Sequence, residues 1–123
     1  MKKESCIEWG KLIAALAFFL IVGQPSQAAE LTPIEQEGRD LAFDLGKGSC
    51  IGCHRLPEAQ FWGNIGPPLL GVAERLSAEE MRAQIWDPTV KNPSTVMWPF
   101  GTHRILTEEE IDKIVTYLET LGG

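Results

Sequence analysis

The 123-residue sequence lacks several features that would indicate common protein classes. It has only three cysteines, which is too few for a disulfide-rich scaffold. No stretch alternates convincingly between apolar and polar residues, so β-strands are not predicted. The apolar run Leu12–Val22 has eleven residues. It would form about 17 Å of helix, too short for a bilayer core of roughly 30 Å. These absences favour a small helical domain without a membrane-spanning segment.

The first 28 residues have the layout of a secretory signal peptide. Lys2 and Lys3 start a positively charged region, the apolar run follows, and Ser26-Gln27-Ala28 offers small residues at a cleavage site. We expect cleavage after Ala28 or Ala29. Residues 29–123 would then form one domain, exported to the periplasm and without a stable membrane anchor.

Positive charge is also scarce. Residues 29–123 contain eight lysines and arginines against fifteen aspartates and glutamates. A surface of this sign argues against binding to nucleic acid or to anionic membranes. It is compatible with a partner that presents a basic patch.

Three capping boxes indicate the starts of three main helices. In each box a Ser or Thr accepts from a backbone N–H of the first turn, and a Glu three residues later reaches back. The boxes are Thr32–Glu35, Ser77–Glu80 and Thr107–Glu110. The predicted helices span about 32–45, 77 to 86 or 87, and 107–121. Between them, segments 61–71 and 87–101 are rich in glycine and proline and predict long loops.

The sequence Cys50-Ile51-Gly52-Cys53-His54 is a c-type haem attachment motif. Two thiols at this spacing can each bond one vinyl group of a porphyrin, and the adjacent histidine then lies under the iron. A redox dithiol or half of a zinc site are the alternatives. A zinc site needs four ligands, and outside the motif only His103 remains in residues 29–123. We therefore expect one covalently attached haem c, with His54 as an axial ligand.

The second axial ligand must come from another part of the chain. The candidates are Met81, Met97 and His103. Met97 is favoured because it lies in a proline-rich loop and thioether is a standard ligand of haem iron. Met81 is expected to pack in the core, and His103 to be exposed in a short turn. The carbonyl of Pro67 is the predicted acceptor for the second ring nitrogen of His54.

These segments together resemble class I cytochromes c, and within them the SoxX family most closely. SoxX proteins are the monohaem subunits of the SoxAX complexes of bacterial sulfur oxidation. The resemblance extends over most of residues 29–123. The resemblance rests on the haem motif and on the segments Gly63–Leu69, Ile85–Asp87, Asn92–Met97, Pro99–Gly101 and Leu106–Ile111. One departure is Trp98, since the family usually has proline there.

The resemblance implies an all-α class I cytochrome c fold in which the N- and C-terminal helices cross, with Gly38 and Tyr117 at the crossing. It also implies a heterodimer with a larger haem subunit, SoxA, that acts as an L-cysteine S-thiosulfotransferase on the SoxYZ carrier protein. This chain would pass the released electrons to a soluble cytochrome c and would contain no catalytic residue. The alternative is a stand-alone, diffusible periplasmic monohaem cytochrome c. A haem sensor that releases Met97 is a third reading, which no residue favours.

Overall fold

The computed structural model describes residues 30–122, and these fold as helices joined by ordered loops. The helices are α1 (Pro33–Phe43), α2 (Val72–Arg75), α3 (Ala78–Trp86) and α4 (Glu108–Glu119), with a 3₁₀ turn at Cys50–Gly52. The described residues contain no strand. The prediction of an all-α fold with three main helices is confirmed, and α2 is an additional single turn. The proposed signal peptide lies outside the described residues.

All three capping boxes form as predicted. At α4, the N–H of Glu110 donates to Thr107 Oγ1 over 3.2 Å, and the N–H of Thr107 donates to Glu110 Oε2 over 2.9 Å. The same reciprocal pair joins Ser77 and Glu80 at α3. The N–H of Ser77 holds the pKa of the Glu80 carboxyl below its usual value, because a hydrogen bond to the charged form favours ionisation.

Helix α1 ends two residues earlier than the sequence predicts. Asp44 is its C-cap, with an extended backbone, and the Asp44 carboxylate accepts the N–H of Gly46 over 2.7 Å. An aspartate that bonds its own backbone two residues later favours a turn over a helix. Leu45, the last residue of the predicted helix, lies beyond the end of α1 and is 74% exposed.

Helices α1 and α4 pack closely where they cross, at Gly38. A Cβ at position 38 would overlap the backbone carbonyl of Lys113 in α4. Glycine is therefore required, because any side chain would hold the two backbones apart. One turn further along α4, Tyr117 is completely buried. Gly38 is thus found at the crossing, as the family resemblance implies, and Tyr117 is near enough to Arg39 of α1 for the two to interact electrostatically.

The core is built mainly from the inward faces of α3 and α4. It is apolar apart from Tyr117; its other buried members are Ala42, Leu56, Ala59, Val72, Met81, Ile85, Leu106, Ile111, Ile114, Val115, Leu118 and Leu121. Cys50, Leu69 and Met97 pack against this cluster from one side. Between residues 30 and 122, no helix has both the length and the apolar character needed to cross a membrane.

Candidate functional site

The Cys50–His54 segment folds into one tight turn. The N–H groups of Cys53 and His54 both donate to the carbonyl oxygen of Cys50, over 3.1 and 2.8 Å. Ser49 precedes this turn in the left-handed region, with φ 48°. Because the turn closes within a few residues, both cysteines and the histidine ring line the same cavity.

The ring of His54 is held from two directions. Its Nδ1 lies 2.7 Å from the carbonyl oxygen of Pro67, the acceptor that the sequence predicts. A carbonyl can only accept, so Nδ1 carries the hydrogen and Nε2 keeps a free lone pair for a metal. Gly66 lies against the ring, where a Cβ would overlap the imidazole atoms. The Gly66-Pro67 pair therefore fixes both the tautomer and the position of His54.

The segment that carries Pro67 is itself fixed by main-chain acceptors. The N–H of Gly66 donates to the carbonyl of Cys53 over 2.9 Å. The guanidinium of Arg75 donates to the carbonyls of Pro68 and Leu70, over 2.9 and 2.8 Å. These bonds attach the proline segment to the haem motif on one side and to α2 on the other. The orientation of His54 therefore depends on backbone groups that are themselves held by hydrogen bonds.

Met97 lies in a loop that is folded by small local turns. Asn92 opens the loop: its carbonyl accepts the N–H of Thr95 over 3.0 Å, and its side chain accepts the N–H of Ser94 over 3.1 Å. The hydroxyl of Thr95 then accepts the N–H of Met97 over 3.1 Å. The asparagine and threonine of the Asn92–Met97 segment thus have a structural role, which is to present the methionine.

The chain that follows Met97 is bound to the end of α3. The N–H of Phe100 donates to the carbonyl of Ile85 over 3.2 Å, and the N–H of Gly101 to that of Trp86 over 3.1 Å. The last carbonyls of a helix have no partner within the helix. Here the chain after Met97 donates hydrogen bonds to two of them. These bonds join the Ile85–Asp87 segment to the Pro99–Gly101 segment.

The loop and the cysteine turn meet at one cavity of about 800 Å³. Cys50, Cys53, His54, Pro67 and Met97 all line it. Every site residue predicted from the sequence is therefore brought to the same place. The volume lies within the range of about 300 to 1,000 Å³ that is typical of small-molecule and cofactor pockets.

The cavity is predominantly apolar and carries no negative charge among its described lining residues. Its charged side chains are Lys47 and Arg75, and Lys47 also pairs with Glu110 over 2.8 Å. Burial raises the pKa of the Cys50 thiol to about 12. A redox dithiol needs a thiolate near neutral pH, and the buried surroundings of Cys50 disfavour that charged form. The environment therefore suits thioether attachment better than thiol–disulfide exchange.

The other two candidate ligands are placed differently. Met81 also lines the cavity, but it sits in the first turn of α3 and is only 2% exposed, as a member of the core. His103 is exposed and is not among the lining residues; its N–H donates to the carbonyl of Pro99 over 3.0 Å. Of the two methionines at the cavity, Met97 is the one presented by a loop.

Two residues at the cavity were not assigned a role from the sequence. Gln84 lies on α3, and its Nε2 is 3.8 Å from the sulfur of Met97. The sequence signal that could have indicated Gln84 is its polar side chain, one helical turn after the buried Met81. Trp98 lines the cavity and is 66% exposed. Its large ring therefore stands at the cavity mouth, directly beside Met97.

Comparison with known proteins agrees with this architecture. A family model described as cytochrome C oxidase, cbb3-type, subunit III matches residues 38–118. The crystal structure of SoxXA from P. pantotrophus is similar, with a TM-score of 0.65 and 24% identity over 78% of this chain and 85% of that chain. An uncharacterized lipoprotein of Aquifex aeolicus (strain VF5) is 34% identical over 103 residues. That match covers 80% of this chain but only 50% of the lipoprotein, so the chain spans about half the length of this relative.

Helices packed around a cavity that holds a Cys-x-x-Cys-His turn define a protein of the cytochrome c class. More narrowly, because the family match covers more than half of its residues, the chain belongs to the family of cytochrome C oxidase, cbb3-type, subunit III. Membership implies a covalently bound haem c and a role in electron transfer. The residues fit that group: two cysteines, a histidine with a free Nε2 and a thioether line a single apolar cavity of suitable size.

Proposed function

We propose that this chain is the electron-transfer subunit of a SoxAX-type L-cysteine S-thiosulfotransferase. In that reaction thiosulfate is joined to a cysteine thiol of the SoxYZ carrier protein. One sulfur–sulfur bond forms, the thiol proton leaves, and two electrons are released. This chain takes up those electrons singly and passes them to a soluble cytochrome c. The proposal rests on one observation: the Cys50–His54 turn and the Met97 loop line the same cavity.

Five of the residues that line the cavity have a defined role in this proposal. Cys50 and Cys53 would bond the haem as thioethers, and His54 would ligate the iron through Nε2. Pro67 holds the proton on Nδ1 of His54. Met97 would supply a thioether sulfur as the second protein ligand. The haem would provide one-electron chemistry, because its iron can alternate between the ferric and ferrous states.

The surroundings favour the reduced state. A thioether ligand raises the potential of haem iron, and an apolar pocket disfavours the additional charge of the ferric state. The described lining contains no carboxylate that would stabilise that charge. A high potential suits a subunit that accepts electrons from sulfur chemistry.

The conjugation of thiosulfate belongs to the partner subunit in this proposal. With both His54 and Met97 as ligands, the iron would have no open position for substrate. Cys50 and Cys53 are engaged by the haem and are not free as nucleophiles. The chain therefore acts in the enzyme as an electron outlet and contributes no catalytic residue.

Two observations support the choice of partner. The segments Ile85–Asp87 and Asn92–Met97 resemble SoxX, and both have structural roles around the Met97 loop. The fold is also similar to the crystal structure of SoxXA from P. pantotrophus. In the same proposal, residues 1–28 are a signal peptide that is removed on export to the periplasm, and residues 29–123 are the mature domain.

Acidified organic solvent is expected to leave the haem on the polypeptide. Thioether bonds from Cys50 and Cys53 survive acid, whereas coordination by His54 does not, because the imidazole becomes protonated. The measurement is the Soret absorbance of the protein pellet and of the solvent phase after extraction. A Cys50→Ala, Cys53→Ala double variant is the control and should release any haem that it binds. Haem in the solvent phase from the unaltered protein would contradict covalent attachment.

The native protein is expected to elute together with a larger haem-containing subunit when it is isolated from cells grown on thiosulfate. Size-exclusion chromatography followed by in-gel haem staining would detect both subunits. A monomer from such cells would overturn the SoxAX-type assignment and support the diffusible cytochrome instead. The extraction result is independent of this outcome, so the two parts of the proposal can fail separately.

A further inference from the structure

Gln84 makes a polar contact with Met97, the proposed iron ligand. Its side chain is half-buried and lines the cavity, with Nε2 3.8 Å from the sulfur of Met97. A thioether sulfur can only accept a hydrogen bond, whereas a side-chain amide offers a donor at one end and an acceptor at the other. The reverse orientation would bring two acceptors together. The chemistry therefore requires that the Gln84 amide donates.

The donor is held firmly relative to the sulfur. Met81 and Ile85, on either side of Gln84 along α3, are both buried in the core. The carbonyl of Ile85 accepts the N–H of Phe100, three residues after Met97. The N–H of Met97 is itself held by the hydroxyl of Thr95. The loop is thus bonded to α3 after Met97 and held by its own turn before Met97, so the geometry of the contact does not depend on the two side chains alone.

From this arrangement we propose that Gln84 is a positioning residue that tunes the reduction potential through the sulfur of Met97. The inference rests on the proposed role of Met97 as a ligand. An N–H that shares the sulfur lone pairs reduces the electron density that the sulfur gives to iron. The positive end of the amide dipole also faces the sulfur. Both effects disfavour the ferric state, so Gln84 raises the potential.

The absence of other charges makes the effect measurable. None of the described lining residues is acidic, and Lys47 and Arg75 are the only charged ones. Both of those side chains are engaged elsewhere, Lys47 with Glu110 and Arg75 with backbone carbonyls. Low local polarity strengthens the influence of a single oriented amide.

The test compares the reduction potentials of two variants of the haem-loaded protein. Gln84→Leu keeps the size of the side chain but removes the donor, and it should favour the ferric form about three- to tenfold. That range corresponds to a drop of roughly 30 to 60 mV at 59 mV per tenfold change for one electron. Gln84→Glu replaces the donor with a carboxylate and should lower the potential further. Gln36→Leu is the matched control, because Gln36 is exposed on α1 and its side-chain amide donates to Asp40, away from the cavity.

The measurement is a spectroelectrochemical titration, accompanied by the ferric charge-transfer absorption that reports the iron–sulfur bond. A potential that stays at the Gln36→Leu value in both Gln84 variants overturns the proposal, and so does a rise. If Gln84→Leu does not fold, Gln84→Met, which also lacks a donor and adds no charge, takes its place, and the sign of its shift decides. Failure of the ligand assignment is distinguished separately, since Met97→Ala would then leave the ferric spectrum unchanged.

Discussion

Replacing Met97 with alanine is expected to lower the reduction potential by on the order of 100 mV and to give a high-spin ferric spectrum. Axial-ligand identity sets haem potentials over a range of about 0.8 V, so losing a thioether is a large change. Alanine cannot reach the iron, and the sixth position would be left to water or remain empty. The measurements are a redox titration and the ferric absorption spectrum of the purified haem protein.

Two control variants separate ligand loss from general damage. Met81→Leu conserves volume in the core and should cost less than about 1.5 kcal/mol of stability, without a change in spectrum. His103→Ala alters an exposed side chain outside the cavity lining and should also leave the spectrum unchanged. If Met97→Ala retained a low-spin spectrum while one of these variants lost it, the ligand would be that residue and the role of the loop would have to be reassigned.

Replacing Gly38 with alanine should destabilise the protein by about 3 kcal/mol. The added methyl group would overlap the carbonyl of Lys113, which is main chain and cannot rotate away. Forced overpacking typically costs about 1 to 3 kcal/mol and sometimes more, and a small domain has only about 5 to 15 kcal/mol in total. At roughly 4 to 8 °C per kcal/mol for a domain of this size, Tm should fall by about 12 to 24 °C.

Gly46→Ala provides the matched control for this prediction. Gly46 is exposed, and a Cβ there would meet only the Asp44 side chain, at 3.3 Å. Thermal unfolding followed by circular dichroism should therefore give a Tm near that of the unaltered protein. If Gly38→Ala melted at the same temperature as Gly46→Ala, the close approach of α1 and α4 would not be a requirement of the fold.

Much of this architecture can be predicted from the sequence because its signals are local. Each capping box is contained in four residues, so Thr32, Ser77 and Thr107 mark the helix starts without tertiary information. The Cys50–His54 turn is equally local, since its geometry follows from the spacing of two thiols and one histidine. Membership of a cytochrome c family, shown by the match to residues 38–118, agrees with that motif.

Other features depend on contacts between distant residues or on competing local bonds. Helix α1 ends early because the Asp44 carboxylate accepts the N–H of Gly46. The spacing of apolar residues, from which the helix is predicted, carries no information about such a bond. Helix α2 is a single turn, too short to show a period. The contact of Gln84 with Met97 requires knowing that a loop thirteen residues later returns to α3.

The hydrogen bonds between the end of α3 and residues Phe100 and Gly101 have a consequence for how this protein can change over evolutionary time. They involve only main-chain atoms, so they constrain the path of the chain without constraining the side chain at position 98. Trp98 takes part in neither bond, so a proline in its place would remove neither of them. Position 98 is therefore a site where sequence drift can widen or close the entrance to the cavity while the methionine sulfur stays in place.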